Sequence, residues 1–427
     1  MSTPLAIRGI DWLAEYRLRS LENLDLPLSF QLWNGRTIEF GKTPKVHITL
    51  PRRSAFLYLL YSDFSTLGDA YVRGEIEVEG DISEAIRAAE ALSSRAASLT
   101  QRLPFPSLPE LPSLKLRTKN SDAKAIAYHY DVSNEFYKLW LDRQMIYSCA
   151  YFRTGDEDLD LAQEQKLDHI CRKLRLEPGD RLLDIGCGWG GLIIWAAKNY
   201  GVRAVGITIS QKQYEYAKRR IRMEGLSDRC KVILRDYRDL RDEGTFDKIV
   251  SVGMFEHVGI RNLNHYFQNI HDVLRDGGIF LNHGIVSRHL NGQPPSRGGG
   301  KFIDRYVFPD GELPHLSLAA QKMEEQGFEI VDVESLRPHY TKTLRQWHER
   351  LAAKNEEARR IVGERNFRIW NVYLPGCAYA FERDWVSVYQ ITALKTAEGR
   401  TGSYPLTREH IYVGNFTGGD QTLHWAD

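Results

Sequence analysis

Cysteine is scarce and unpatterned in this chain. Cys149, Cys171, Cys187, Cys230 and Cys377 make an odd number, and no two of them stand as Cys-x-x-Cys. A disulfide framework is therefore not expected, and a reduced, cytosolic compartment is the simplest expectation. Long apolar runs are also missing. No segment reaches about 18 uninterrupted apolar residues, so no transmembrane helix is predicted. The opening MSTPLAIRGIDWLAEYRLRS has no apolar core of the kind a signal peptide needs. Net charge is nearly absent, with Lys+Arg 57 against Asp+Glu 56. That balance gives no argument for nucleic acid as a partner, and any contact with a membrane has to come from a local patch. Metal-ligand spacing is lacking too: His265 and His271 lie near each other without a convincing ligand pattern, so no metal is expected.

What is present is the composition of a globular protein, 42% hydrophobic and 26% charged over 427 residues. The length suggests two domains or three. Residues 1–95 read as a small α+β domain. A helix is expected over 11–22, and short strands over 29–33, 37–40 and 45–50, with Asn34-Gly35 as a hairpin turn. A helix is expected over 54–60. The alternating, glycine-punctuated stretch 68–80 reads as strand, and Asp81 opens a helix. Residues 96–120 read as a linker, because Pro104, Pro106, Pro109 and Pro112 forbid helix there. From 121 to 427 the pattern becomes α/β. Helices over 160–174, 192–199 and 211–224 alternate with strands over 181–185, 203–207, 231–234, 246–252 and 278–283, which predicts a parallel sheet with its ligand at the carboxyl ends of the strands. Residues 287–345 fit the alternation poorly and read partly as an insertion over the site.

The sharpest local feature is Leu182-Leu183-Asp184-Ile185-Gly186-Cys187-Gly188-Trp189-Gly190-Gly191. Glycines let a strand turn tightly into a helix and let backbone approach a ligand, and the helix start offers free N–H groups. A nucleotide-like cofactor fits. The run also satisfies G-x-G-x-x-G, so a dinucleotide enzyme has to be weighed. Such an enzyme needs an acid at the end of the second strand, where this chain has Val205-Gly206-Ile207-Thr208-Ile209-Ser210. Asp184, with one residue between it and the first glycine, is the pattern of S-adenosylmethionine enzymes.

Three further stretches accompany the loop: His129-Tyr130-Asp131-Val132-Ser133-Asn134 running into Tyr147-Ser148-Cys149-Ala150-Tyr151, then Val252-Gly253-Met254-Phe255-Glu256-His257-Val258-Gly259, and Tyr373-Leu374-Pro375-Gly376-Cys377-Ala378. With the glycine loop, this set resembles the cyclopropane-fatty-acyl-phospholipid synthases and mycolic acid cyclopropane synthases over residues 121–395. The N-terminal domain resembles the extra domain of the phospholipid enzymes. The resemblance implies a Rossmann-like class I methyltransferase domain beside the smaller α+β domain. It implies S-adenosylmethionine as cofactor and a methylene transferred to the cis double bond of phospholipid acyl chains; the alternative is a lipid C-methyltransferase that leaves a methyl branch or methylene without closing a ring. Carried over residue by residue, Tyr147 and Ser148 meet the methionine end. Leu183, Asp184, Ile185, Gly186, Cys187, Gly188, Trp189, Gly190 and Gly191 wrap the cofactor. Thr208, Ile209, Ser210, Gln211, Lys212 and Gln213 bind the ribose, Tyr237 and Arg238 flank the adenine, and Val252 lies near the methyl donor.

The same resemblance implies a bound bicarbonate as the base for ring closure, held by Cys149, Glu256, His283, Ile285 and Tyr340. Cys149 and Ile285 would contribute backbone N–H groups. Where the family usually reads His-Thr-Ile-Gly, this chain reads His283-Gly284-Ile285-Val286. Cys377 carries the family's active-site label, although methyl transfer to an alkene needs no thiolate. The alkene becomes a carbocation, which aromatic faces tolerate; Tyr130, Phe136, Tyr151, Phe255, Tyr306 and Phe308 are candidates, each with core packing as the other explanation. Leu344, Trp347 and Leu351 recur at helical spacing among Arg345, Arg350 and Lys354. They form either a membrane-facing amphipathic helix or a surface helix docked on its own core. Arg52-Arg53 and the Lys115/Arg117/Lys119 cluster are candidate contacts for anionic headgroups. The resemblance further implies a homodimer and peripheral association with the inner face of the membrane.

Overall fold

A computed structural model describes residues 12, 18, 26–61, 63–100, 133–290, 299–309, 311–396 and 404–412. The expected helix over 11–22 is covered only at Trp12 and Leu18. The proline run, the Lys115/Arg117/Lys119 cluster and Tyr130 lie outside the described residues. The chain forms two compact units. The first holds 1–116, 294–309 and 347–383; the second holds 117–293, 310–346 and 384–427. The sequence divides at a linker, whereas the structure returns two later segments to the first unit.

In the first unit, β1 (Leu28–Gln31), β2 (Thr37–Phe40), β3 (Val46–Thr49) and β4 (Glu77–Gly80) form a sheet of order β2-β1-β3-β4. β1 and β2 are the expected hairpin. Gly35 turns it at φ +80°, in the left-handed region that favours glycine. Leu28, Phe30, Phe40 and Val46 are fully buried on one face. The stretch read as strand over 68–80 is instead helix Phe64–Val72 followed by the short β4. Asp63 caps that helix by accepting from the Thr66 N–H at 2.9 Å, and tertiary burial of Gly68, Ala70, Tyr71 and Val72 outweighs the apparent alternation. Helix Ile82–Thr100 begins where Asp81 predicted it, with Asp81 accepting from the Ser83 N–H at 2.8 Å.

The second unit is a seven-stranded sheet covered by helices. Its strands are β5 (Arg181–Ile185), β6 (Arg203–Thr208), β7 (Cys230–Leu234), β8 (Phe246–Val252), β9 (Leu274–Ser287), β10 (Phe328–Ser335) and β11 (Val386–Lys395). The order is β10-β11-β9-β8-β5-β6-β7. β9, β8, β5, β6 and β7 run parallel, as expected, and β11 runs antiparallel between β9 and β10. β10 and helix Leu316–Glu324 lie within the stretch read as an insertion, so most of that stretch belongs to the sheet unit. The strand order reverses between β5 and β8, which opens a crevice at their carboxyl ends. One face is filled by Leu183, Ile207, Ile249, Phe267 and Phe280. The other is filled by Leu182, Ile193, Ala204, Val250 and Leu281, each large aliphatic side chain contributing roughly 2 kcal/mol by burial.

Candidate active site

β5 ends directly in the glycine loop. Gly186, Gly188 and Gly190 have φ of +82°, +53° and +85°, a conformation that side-chain-bearing residues avoid. The Gly186 and Cys187 N–H groups both donate to the Ile207 carbonyl, at 3.0 and 2.9 Å, which ties the loop to the end of β6. Helix Gly191–Tyr200 then starts with its N–H groups toward the crevice.

A cavity opens there. Its wall contains Tyr147, Ser148, Asp184, Ile185, Gly186, Cys187, Gly188, Trp189, Gly191, Thr208, Ile209, Gln213, Tyr237, Arg238 and Val252 from the sequence-derived cofactor set. Five of that set stand off the wall. Leu183 is in the apolar core. Gly190 precedes the helix. Ser210 caps helix Gln211–Met223 by accepting from the Gln213 N–H at 3.3 Å. Gln211 is exposed and donates to Glu215 at 2.7 Å, and Lys212 is exposed. Within the wall, Thr208 Oγ1 donates to Gln213 Oε1 at 2.8 Å. Arg238 is locked on Asp236 by two bonds of 2.8 and 2.6 Å and lies over the Tyr237 ring. Tyr147 leans on Tyr137 and Trp140, and Trp189 donates its indole N–H to Asn134 Oδ1 at 2.8 Å.

Sequence reasoning missed Lys166, Arg235, Asp236, Gly253, Met254 and His257 in this wall. Lys166 is 2% exposed. It lies in helix Leu159–Lys173, where LDLAQEQKLDHICRK reads as a solvated polar face, and no spacing signal marks it. Burial pushes its pKa down, while Asp142 and Asp184 pull it up. Burial pushes Asp184 up to about 7 against the pull of Lys166. Asp184 Oδ1 is buried without a hydrogen-bond partner.

None of Cys149, Glu256, His283, Ile285 and Tyr340 lines the cavity, but the first three adjoin residues that do. Cys149 follows Ser148, Glu256 precedes His257, and His283 pairs with Val252 across β8 and β9. A chain of hydrogen bonds and strand pairing connects four of them, Glu256, Ile285, Tyr340 and Cys149, and His283 lies two residues before Ile285 on β9. Glu256 Oε1 accepts from the Ile285 N–H at 2.6 Å. Ile285 pairs with Val388, whose carbonyl accepts from the Leu336 N–H at 2.9 Å. The Leu336 carbonyl accepts from the Tyr340 N–H at 3.0 Å and from the Cys149 thiol at 3.7 Å. The Ile285 N–H is therefore occupied by Glu256, where the sequence reading gave it to bicarbonate. Burial pushes Glu256 up to about 7, the Ile285 N–H opposing it. Burial holds His283 neutral, with Lys166 and Lys173 adding to the effect. Gln390 Nε2 donates to His283 Nδ1 at 3.2 Å, which leaves the ring proton on Nε2. Glu256 Oε2 and His283 Nε2 are both buried without a hydrogen-bond partner.

The remaining candidates are placed elsewhere. Cys377 sits in helix Asn355–Glu382 of the other unit, where burial pushes its thiol up to about 12. Phe136 packs on Tyr137 and Trp140, and Tyr151 stacks between His169 and His339 at 4.1 and 4.7 Å. The Phe255 ring lies against Gly284. Tyr306 and Phe308 belong to the other unit, against Phe302 and Tyr373. None of these aromatic residues lines the cavity. Leu344, Trp347 and Leu351 are buried, which removes the membrane-facing reading of their stripe. Arg52 and Arg53 are exposed. Among the described residues no helix is long and apolar enough to cross a membrane.

A family model described as mycolic acid cyclopropane synthetase matches residues 117–391, and one described as a domain of unknown function matches 18–100. A probable fatty acid methyltransferase of Pseudomonas putida is 48% identical over 92% of this chain and 98% of its own. The cyclopropane-fatty-acyl-phospholipid synthase of Escherichia coli is 43% identical over 63% of this chain and 67% of its own. The solved mycolic acid cyclopropane synthase CmaA1, complexed with SAH and CTAB, superposes with a TM-score of 0.61 at 34% identity, covering 66% of this chain and 99% of that one. The chain belongs to the mycolic acid cyclopropane synthetase family.

Proposed function

We propose that the protein transfers a methylene group from S-adenosylmethionine to the cis double bond of unsaturated phospholipid acyl chains at a membrane surface. S-adenosylmethionine, when bound, supplies a methyl group activated on a sulfonium sulfur. The left-handed glycine turn, the start of helix Gly191–Tyr200 and the unpartnered Asp184 Oδ1 suit such a cofactor. Tyr147, Trp189 and Met254 give the cavity apolar surface that excludes water from the reacting centre.

Ring closure needs a base. The observation that carries this half is the pair of orphaned buried atoms, Glu256 Oε2 and His283 Nε2, on residues adjoining the cavity. An orphaned acceptor together with an orphaned donor suits bicarbonate, which carries both an O–H and acceptor oxygens. Bicarbonate, when bound, supplies a base that is not a protein nucleophile. Glu256 accepts its O–H, His283 donates to an oxygen, and Gln390 keeps the His283 proton on the donating nitrogen.

A second reading stops before ring closure and leaves a methyl branch or methylene. The engaged Ile285 N–H favours it, because that group is then not free to hold an anion. The Pseudomonas putida relative, named a probable fatty acid methyltransferase, favours it as well.

Purified protein incubated with S-adenosylmethionine and unsaturated phospholipid vesicles should add the mass of one CH2 per modified acyl chain. Proton NMR of the product should show shielded ring protons. A product that gains this mass yet keeps a double bond, as a methylene or a methyl-substituted alkene, supports the second reading. No gain in mass refutes both. Glu256→Gln should keep cofactor binding by calorimetry and lose most turnover; near-normal turnover removes Glu256 from the base site.

A further inference from the structure

We infer that Lys166 is the residue that recognises the carboxylate of the cofactor's methionine end, with Ser148 as its positioning partner. This rests on the S-adenosylmethionine reading above. Lys166 lines the cavity, yet it is nearly inaccessible to bulk solvent. A buried ammonium has three donors and needs acceptors of opposite sign. Among the described residues its Nζ makes one hydrogen bond, to Ser148 Oγ at 3.0 Å, and no ion pair.

The nearby carboxylates are engaged or separate. Asp142 Oδ1 accepts from the Ile146 N–H at 2.8 Å and Oδ2 from the Gln144 N–H at 2.7 Å, closing the turn that leads into Tyr147. Asp184 influences Lys166 through the field without an ion pair. Ser148 is fixed from a second direction, because its carbonyl accepts from Gln163 Nε2 at 2.9 Å. Gln163 and Lys166 lie three apart on one helix, so a single element positions both the Ser148 backbone and the ammonium. The result is a preset cation with vacant donor capacity in the cavity wall. A zwitterionic amino-acid tail presents one carboxylate, and Lys166 is the buried ammonium of this wall.

The test measures binding by calorimetry at fixed pH and ionic strength, using S-adenosylhomocysteine, S-adenosylmethionine and decarboxylated S-adenosylmethionine. The wild type should bind the two carboxylate-bearing compounds more tightly than the decarboxylated one, by roughly ten- to hundredfold, the scale of a charge-assisted hydrogen bond. Lys166→Met should lose that preference and bind all three alike. Lys166→Gln keeps a donor for Ser148 without the charge, should also lose it, and serves if the Met variant does not fold. A variant that weakens all three compounds equally makes Lys166 structural and overturns the inference. So does a wild type that does not distinguish carboxylate from no carboxylate. If the wild type binds none of the three, the S-adenosylmethionine reading itself fails.

Discussion

At the residue scale the departure at Gly284 and Val286 has a physical explanation. Positions 284 and 286 share one face of β9, since side chains alternate along a strand. The family's usual His-Thr-Ile-Gly places bulk first and glycine second; here the sizes are exchanged. Val286 is buried in the same apolar cluster as Phe255, and a Cβ at Gly284 would overlap the Phe255 ring. Phe255 precedes Glu256 in the turn Phe255–His257, so this packing sets the bond from the Ile285 N–H to Glu256. Gly284→Thr alone should therefore destabilise by about 1–3 kcal/mol, the cost of overpacking a core. Adding Val286→Gly should recover part of the loss, by giving the ring a place to move. Urea unfolding of both single variants and the double variant measures this, and additive losses would count against the exchange.

Glu256 also carries a pH signature. Its folded pKa of about 7 exceeds the ordinary carboxylate value of about 4.3. The folded state therefore holds a proton that the unfolded state has released, and stability from this group is present at low pH and lost as pH rises from about 4 through 7. Removing the carboxylate with Glu256→Gln should flatten this component, a difference on the order of 3 kcal/mol between pH 4 and pH 8. Thermal melts of both proteins across that range check it; parallel profiles would show that Glu256 ionises normally. The glycine loop and FEHVG were legible because they break local rules in a known pattern. Lys166 was not, because burial of a lysine on a polar-looking helix is a tertiary fact.

At the scale of elements, the parallel half of the sheet was legible from short apolar runs that alternate with helices. β10 and β11 were not. β10 has an exposed side with Glu329 and Val333, and β11 closes the sheet from far along the chain. What joins β10 to the helix carrying Lys166 is a buried ionic cluster. Lys173 Nζ lies 2.9 Å from Asp332 Oδ2 and 2.6 Å from Glu334 Oε2, and His169 Nε2 meets Glu334 Oε2 at 2.6 Å. Burial raises the Glu334 pKa, but the bond and field of His169 and the Lys173 ammonium outweigh it and hold it at about 2. Lys173 is 0% exposed, so Lys173→Met takes the ammonium from buried Asp332, which keeps Arg408 at 2.6 Å, and from partly buried Glu334. The expected loss is about 3–5 kcal/mol. Lys173→Met combined with Glu334→Gln should lose less than the sum of the single changes, as denaturant unfolding would show; a loss below 1 kcal/mol for Lys173→Met would mean the cluster is solvated.

At the scale of the whole chain, the proline-rich stretch suggests that the N-terminal region could be removed cleanly. The first unit's composition argues otherwise. Helix Asn355–Glu382 belongs to it and buries Phe367, Trp370, Leu374 and Phe381. Arg368 donates to both oxygens of Glu77 at 3.0 and 2.7 Å and to the Tyr71 carbonyl at 2.9 Å. Asn371 Nδ2 donates to the Tyr71 hydroxyl at 3.0 Å, and the Tyr379 hydroxyl donates to Glu90. Sequence alone could not show this, because partners some 290 residues apart leave no periodicity between them. Deleting residues 1–100 would strip these partners from a helix deep in the C-terminal half. The exposed apolar face should then drive aggregation, or force a large loss of thermal stability. The substitution Arg368→Met in the full chain should show a milder form of the same defect, because Glu77 loses its bidentate partner. Size-exclusion chromatography and thermal melts of both proteins test the argument. A monodisperse deletion product that melts like the full chain would mean that residues 347–383 need nothing from the N-terminal sheet.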